Sequence, residues 1–283
     1  MSPARRGVLL VASAALCWSS GGLITRLVTT DPWTTSFWRS LFASIALTLV
    51  LSIRSGPGAL AGLRGPAVVA AACMALSSTC FILALSRTSV ADTLILMATG
   101  PYVAGLLGWL LLGERVAVHT WLAMAVAMAG AVVMVSSSYA QGAITGDLLA
   151  MVMAGSFAVA TVLVRCHPHV PMAPAAVLAT VLTWLVALPF ASPGVASARD
   201  LLLLALFGVG QFAGGFLLFM AGARLLPAAQ TSLIGMLETV LGPLWVWLVL
   251  SERPGAATLV GGALILSALL VNGLMELWHH GSR

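Results

Sequence analysis

Apolar residues run along this chain in ten long stretches, each closed by a short polar or Pro/Gly break. The stretches lie at roughly 7–28, 34–53, 67–86, 90–112, 118–136, 147–165, 173–190, 200–222, 228–250 and 257–277. Within them the apolar positions do not alternate with polar ones, so the pattern predicts helices and argues against a barrel. The breaks are legible as "TTDPW", "RSGPGALAGLRGP", "SSSYAQGAITGD", "RCHPHVPMAP" and "SERPG", none long enough for a soluble domain.

Composition sharpens this picture. Of 283 residues, 60% are hydrophobic and 7% charged, which leaves too little polar surface to cover a water-soluble domain. The chain reads as an all-α integral membrane protein. The net charge of +5 comes from thirteen arginines and no lysine, set singly between apolar runs, so no basic face for nucleic acid forms. With the N-terminus inside, eight arginines fall on the cytoplasmic side and four outside, with Arg39 inside the second span. That bias predicts both termini cytoplasmic. Cys17, Cys73, Cys80 and Cys166 lack metal-ligand spacing and read as reduced packing residues. The opening "MSPARRGVLLVASAAL" looks like a signal peptide, but its apolar run continues to about Val28 and is read as the first span.

The chain also repeats itself. "WLLLGERV" from Trp109 recurs as "WLVLSERP" from Trp247, at an offset of 138, and Trp18 meets Phe157, Arg26 meets Arg165 and Pro32 meets Pro171 at 138 to 139. Each half then holds five spans, residues 1–140 and 141–283. Five is odd, so the second half enters the membrane in the opposite sense, the inverted repeat of secondary transporters. The Glu114-Arg115 and Glu252-Arg253 pairs mark equivalent helix ends at opposite interfaces, where Arg can bind the last free carbonyls.

Several stretches resemble the drug/metabolite transporter superfamily in its ten-span EamA-type branch. They are "ALCWSSGGLITR", "FWRSLFA", the run from Ala84 to Val116 and the run from Ala229 to Pro254, with the "LGER" and "LSER" endings. The resemblance implies two inverted five-helix repeats around a central cavity, and export of amino acids, metabolites or drugs. Many relatives carry Glu-Pro in the ninth span, whereas this chain has Glu238-Thr239 with the proline at Pro243.

Candidate chemistry is sparse. Glu238, eleven residues into the ninth span, is an intramembrane acid and so a functional candidate, beside a reading as a packing residue supporting Thr239. Arg39 has three readings: snorkelling to the interface, pairing with an acid, or meeting a substrate carboxylate. Asp92 reads as a helix-terminal charge. Gly100-Pro101 and Gly242-Pro243 are expected to bend the fourth and ninth spans. Gly208, Gly215 and Gly222, spaced by seven, and the Gly210/Gly214 GxxxG read as packing faces. Trp18, Ser19, Ser78, Phe81, Met97, Tyr102, Phe157, Gln211 and Phe212 supply hydroxyls, an amide and aromatic surface near mid-span, suited to a ligand polar at one end and apolar at the other. No metal motif is present, no cofactor is implied, and Glu238 lacks the companion base an intramembrane enzyme would need.

Together these features predict a secondary transporter of the bacterial inner membrane, exporting small metabolites, amino acids first among them, by alternating access. A multidrug exporter is the main alternative, with a passive channel behind it. Its partners are a small-molecule substrate and the lipid bilayer, and a monomer and a homodimer fit equally.

Overall fold

The computed structural model describes residues 2–56, 63, 65–87, 93, 96–114, 116–135, 144–251 and 255–281. Asp92, Arg115 and the Glu252-Arg253 pair lie outside these residues. Every element among the described residues is helical, as a lipid-embedded backbone requires. Seven helices are long and apolar enough to cross a membrane, and three shorter apolar ones, 100–112, 118–133 and 173–187, fall on the other expected spans.

The first span comprises α1 (Pro3–Ser19) and α2 (Gly21–Leu27), interrupted at Ser20. The second is α3 (Pro32–Ser55), started by Asp31, whose side chain accepts from the amides of Trp33 and Thr34. The third is α4 (Gly65–Arg87), the fourth ends in α5 (Gly100–Leu112), and the fifth is α6 (Val118–Val135). Then come α7 (Ile144–Cys166) and α8 (Ala173–Ala187). The eighth span joins α9 (Ala198–Leu206), a π-helical stretch at Phe207–Gly214 and α10 (Gly215–Ala223). The ninth is α11 (Ala228–Gly235) and α12 (Leu237–Leu250), and α13 (Ala256–Gly281) is the tenth.

Packing follows a two-fold pattern. The third span lies along the sixth and seventh, and the first and second lie along the eighth. The fourth packs on the sixth, the first on the ninth, and second–seventh, fourth–ninth and fifth–tenth pair off. Exchanging the first five spans with the last five maps this contact set onto itself. Lipid-facing positions such as Ile53 (82% exposed) and Val118 (74%) are apolar, while alanines such as Ala14, Ala43, Ala70, Ala71 and Ala160 fill the buried contacts. Small residues serve here because lipid gives helices no hydrophobic reason to associate, so close backbone contact must do it.

Two expectations change. Gly208, Gly215 and Gly222 are packing positions: a Cβ on Gly208 would run into the Arg39 carbonyl, one on Gly215 into the Trp18 indole, and one on Gly222 would sit 2.6 Å from Val11 Cγ2. The GxxxG is not a packing face, because Gly210 has open space and Gly214 meets nothing closer than Val209 O at 3.6 Å. The π-helical winding separates it from the heptad stripe. The ninth span likewise runs helically through Gly242-Pro243 and breaks at Met236, six residues before Gly242. The fourth is interrupted by a turn at Ala98-Thr99, which is the same place at an offset of 138. The break belongs to the repeat, and Pro101 sits in the first turn after it, where its missing N–H costs nothing.

The doubled "LGER"/"LSER" ending has a backbone cause. Gly113 and Ser251 hold the same left-handed helix cap, at φ 65° and 57°. At Gly113 this geometry turns its amide and that of Glu114 back onto the carbonyls of Trp109 and Gly108. Ser251 is the only non-glycine residue with positive φ among the described residues.

Candidate substrate site

Arg39 is the anchor. It stands on α3, 3% exposed, and its Nη2 donates to Ser78 Oγ of α4 at 2.6 Å. Its guanidinium carbon lies 4.5 Å from the Phe212 ring centre and 5.1 Å from that of Phe207. Its Nε is buried without an acceptor, and no acidic side chain among the described residues pairs with it. Snorkelling is thereby corrected: the head group points into the protein, where π-faces and one hydroxyl hold it. The hydroxyls of Ser36, one turn before it, and of Ser40, the next residue, are also buried and unpartnered.

Around Arg39 the structure gathers much of the expected lining. Trp18 at the end of α1 meets Phe157 edge-on at 5.7 Å and Phe219 at 5.1 Å, and Phe157 meets Phe219 at 4.9 Å. Gln211, in the π-helical stretch, donates from Nε2 to the Trp18 carbonyl at 3.1 Å, while its Oε1 is buried with no donor. Ser19 donates to Leu16 O at 2.7 Å and accepts from Trp245 Nε1 of α12 at 2.8 Å, tying the first span to the ninth. Spans that are interrupted or rewound thus converge on one place, as transporter sites require.

Other candidates stand apart. Tyr102 stacks at a tilt with Trp121, 5.9 Å between centres, within the cluster of the fourth, fifth, ninth and tenth spans. Phe81 and Met97 are half-buried. Glu238 is half-buried in the first turn of α12, just after the break, where the positive helix end favours a carboxylate. No described residue hydrogen-bonds or ion-pairs with it.

Three contacting residues went unmarked by the sequence. Phe207 and Phe212 are five apart, a spacing that puts both rings on one side only where the helix widens to a π-turn. Phe219 and Trp245 lay unremarked among other apolar positions.

Away from Arg39, Glu114 gathers four spans. Its Oε1 accepts from Arg165 Nε at 2.9 Å and its Oε2 from the Ala228 amide at 3.2 Å, which begins α11. Arg165 Nη1 also donates to the Arg224 carbonyl at 2.7 Å, and Arg224 reaches Val170 O. The ends of α5, α7 and α10 and the start of α11 are joined there.

The comparisons agree with this architecture. The profile of the EamA-like transporter family matches residues 5–136 and 144–274, one copy per half. The chain belongs to that family. Among its EamA-like relatives is the pseudopaline exporter CntI of Pseudomonas aeruginosa (strain UCBPP-PA14), 30% identical over 280 residues, 94% of this chain and 95% of that one. The uncharacterized transporter YwfM of Bacillus subtilis (strain 168) is 26% identical, over 93% of this chain and 92% of the relative. A solved crystal structure, 22% identical, superposes with a TM-score of 0.83 over 96% of this chain and 98% of its own, so the two share a fold. Family and named relatives make this a multi-pass membrane transporter of small molecules.

Proposed function

We propose that the protein exports amino acids and closely related metabolites across a bacterial inner membrane by alternating access. Residues 1–140 and 141–283 act as its two inverted halves, and both termini are cytoplasmic. The paired packing of spans supports the division into halves, and the arginine bias supports the orientation.

One observation carries the substrate reading: the buried, acid-free guanidinium of Arg39 beneath aromatic rings. A charge desolvated this far needs a counter-charge, and no described side chain supplies one. A substrate carboxylate supplies it, while Trp18, Phe157 and Phe212 accept the apolar side chain and Ser78 and Gln211 complete the polar end. Ser19, Phe81, Met97 and Glu238 complete the lining in other conformations of the cycle, and Tyr102 joins it from the fourth span. Selectivity among neutral amino acids is broad, because one methylene in an apolar pocket is worth only about 1–3 kcal/mol.

Competition in proteoliposomes tests this with methionine, threonine, phenylalanine and their amides. Comparable inhibition by the acids with loss on amidation is expected. One tightly bound amino acid, or amides competing as well as acids, overturns it. The similarity to the pseudopaline exporter favours a second reading, export of that compound. Inhibition by pseudopaline without inhibition by amino acids would establish it instead. Transport of hydrophobic dyes alone would point to multidrug export.

A further inference from the structure

The eighth span winds as a π-helix between Phe207 and Gly214. Such turns are rare and recur at functional sites. Gln211 sits in the middle of this one. Its Nε2 donates to the Trp18 carbonyl, two residues before the interruption of the first span at Ser20. The other amide atom, Oε1, is buried and without a donor.

Arg39 Nε is the complementary case, a buried donor without an acceptor. Phe207 links the two. Its ring lies beside the guanidinium, and its Cε2 and Gln211 Nε2 converge over Gly21, 3.5 Å and 3.0 Å from where a Cβ would stand. Gln211 and Arg39 thus both lie close to the Phe207 ring, one with an unfilled acceptor and the other with an unfilled cationic donor. In a low-dielectric site an amide oxygen binds a charged N–H donor best, and a guanidinium binds a carboxylate best.

We propose that Gln211 is a specificity-determining residue, whose Oε1 accepts from the protonated amine of a substrate held at its carboxylate by Arg39. The transported molecule then carries both charges, close together. This rests on the placement of Arg39 at the substrate carboxylate, and adds the second recognition point. Both atoms are sealed from solvent in this conformation, so the complex forms when the spans around them part. Phe207 and Gln211, four residues apart, share a helix face in any case, and the π-turn brings Phe212 to it.

The test compares methionine, N-acetylmethionine and methioninamide as competitors of methionine transport in proteoliposomes. In the unaltered protein N-acetylmethionine should compete at least tenfold more weakly than methionine. Gln211→Met keeps the volume but removes the acceptor, and should bring the two within about threefold while amidation still abolishes competition. Gly21→Ala, whose Cβ would press on Gln211 Nε2, should narrow the preference with every polar group retained, and serves if Gln211→Met does not reach the membrane. A purely structural tie to Trp18 would lower transport of all competitors alike. N-acetylmethionine competing as well as methionine in the unaltered protein, or an undiminished preference in the variants, overturns the role of Gln211 alone. Failure to transport any free amino acid overturns the amino-acid reading itself, and this inference with it.

Discussion

Replacing Arg39 with methionine separates a structural arginine from a substrate-binding one, because the two roles predict opposite results. In the folded protein Arg39 gains one hydrogen bond from a charged donor, to Ser78, worth about 1.5–3 kcal/mol. It gains about 2 kcal/mol more from the faces of Phe207 and Phe212. Against this stands the loss of hydration, several kcal/mol for a buried ion. The two sides nearly cancel, and methionine fills the volume with an apolar chain that needs no partner. Stability of Arg39→Met should therefore stay within about 1 kcal/mol of the original, or rise. Transport should not survive so well. Losing a charge-assisted, two-pronged contact to a carboxylate costs about 3 kcal/mol, or roughly a hundredfold in rate at low substrate. Arg39→Lys should recover only part of this, since an ammonium cannot grip a carboxylate with two parallel bonds. Counterflow in proteoliposomes, normalised to folded protein, measures the second effect, and thermal unfolding in detergent the first. A variant that unfolds several degrees lower yet transports within threefold of normal would refute the argument and make Arg39 a packing residue.

Three further outcomes follow from particular contacts. Gly208→Ala should destabilise by about 1–3 kcal/mol, because its Cβ meets the backbone of Arg39 and Ala43, whereas Gly210→Ala should be neutral; equal effects in thermal unfolding would refute the packing assignment. Burial pushes the Asp31 carboxyl up, but hydrogen bonds from Thr34 and Trp33 outweigh it and hold its pKa below the ordinary 3.8. A lowered folded pKa means that the stability it gives is complete above the ordinary carboxylate range and is lost as pH falls through the folded value. Asp31→Ala should thus cost about 1 kcal/mol at pH 7 and progressively less in acid, which unfolding across that range measures. For topology, cysteines at Pro168 and Gly194 in a Cys-free background should label from the cytoplasm and from outside respectively, and the reverse accessibility would refute the proposed orientation.

The frame was readable because lipid leaves the backbone little choice: ten apolar runs meant ten helices, and one duplicated ending exposed the repeat. Trp18, Arg39, Ser78, Phe157, Gln211 and Phe212 stood out as polar or aromatic groups in apolar surroundings, and they converge. Position along the helix was less readable. Proline drew attention to Gly242-Pro243, but the ninth span breaks at Met236, where no proline or glycine pair marks it. Phe207 escaped because 3.6-residue periodicity puts residues five apart on different sides, and nothing in "FGVGQFAG" announces a π-turn. The GxxxG was misread for the same reason. Glu114 looked like an interfacial charge because its partners, Arg165 and Ala228, are 51 and 114 positions away.

That arrangement sharpens what removing the Glu114 charge should do. Its side chain is 20% exposed and that of Arg165 31%, so their attraction is only partly screened, worth about 1 kcal/mol. Accepting from the Ala228 amide adds a helix-start contact of about 1 kcal/mol. Glu114→Gln keeps an acceptor for Ala228 and loses mainly the ion pair. A double-mutant cycle with Arg165→Gln should therefore return a coupling near 1 kcal/mol. If the network holds one side of the transporter closed, the same loss shifts the balance between open and closed states by about fivefold. Transport should change by no more than that, in either direction, far short of the hundredfold loss for Arg39→Met. The contrast follows from where each charge stands: Glu114 is partly hydrated and its partner remains hydrated without it, whereas the buried Arg39 has no solvent to replace the carboxylate proposed for it. Equal inactivity of the two variants at equal membrane expression would show that the Glu114 network belongs to the transport chemistry and does not merely tie helix ends together.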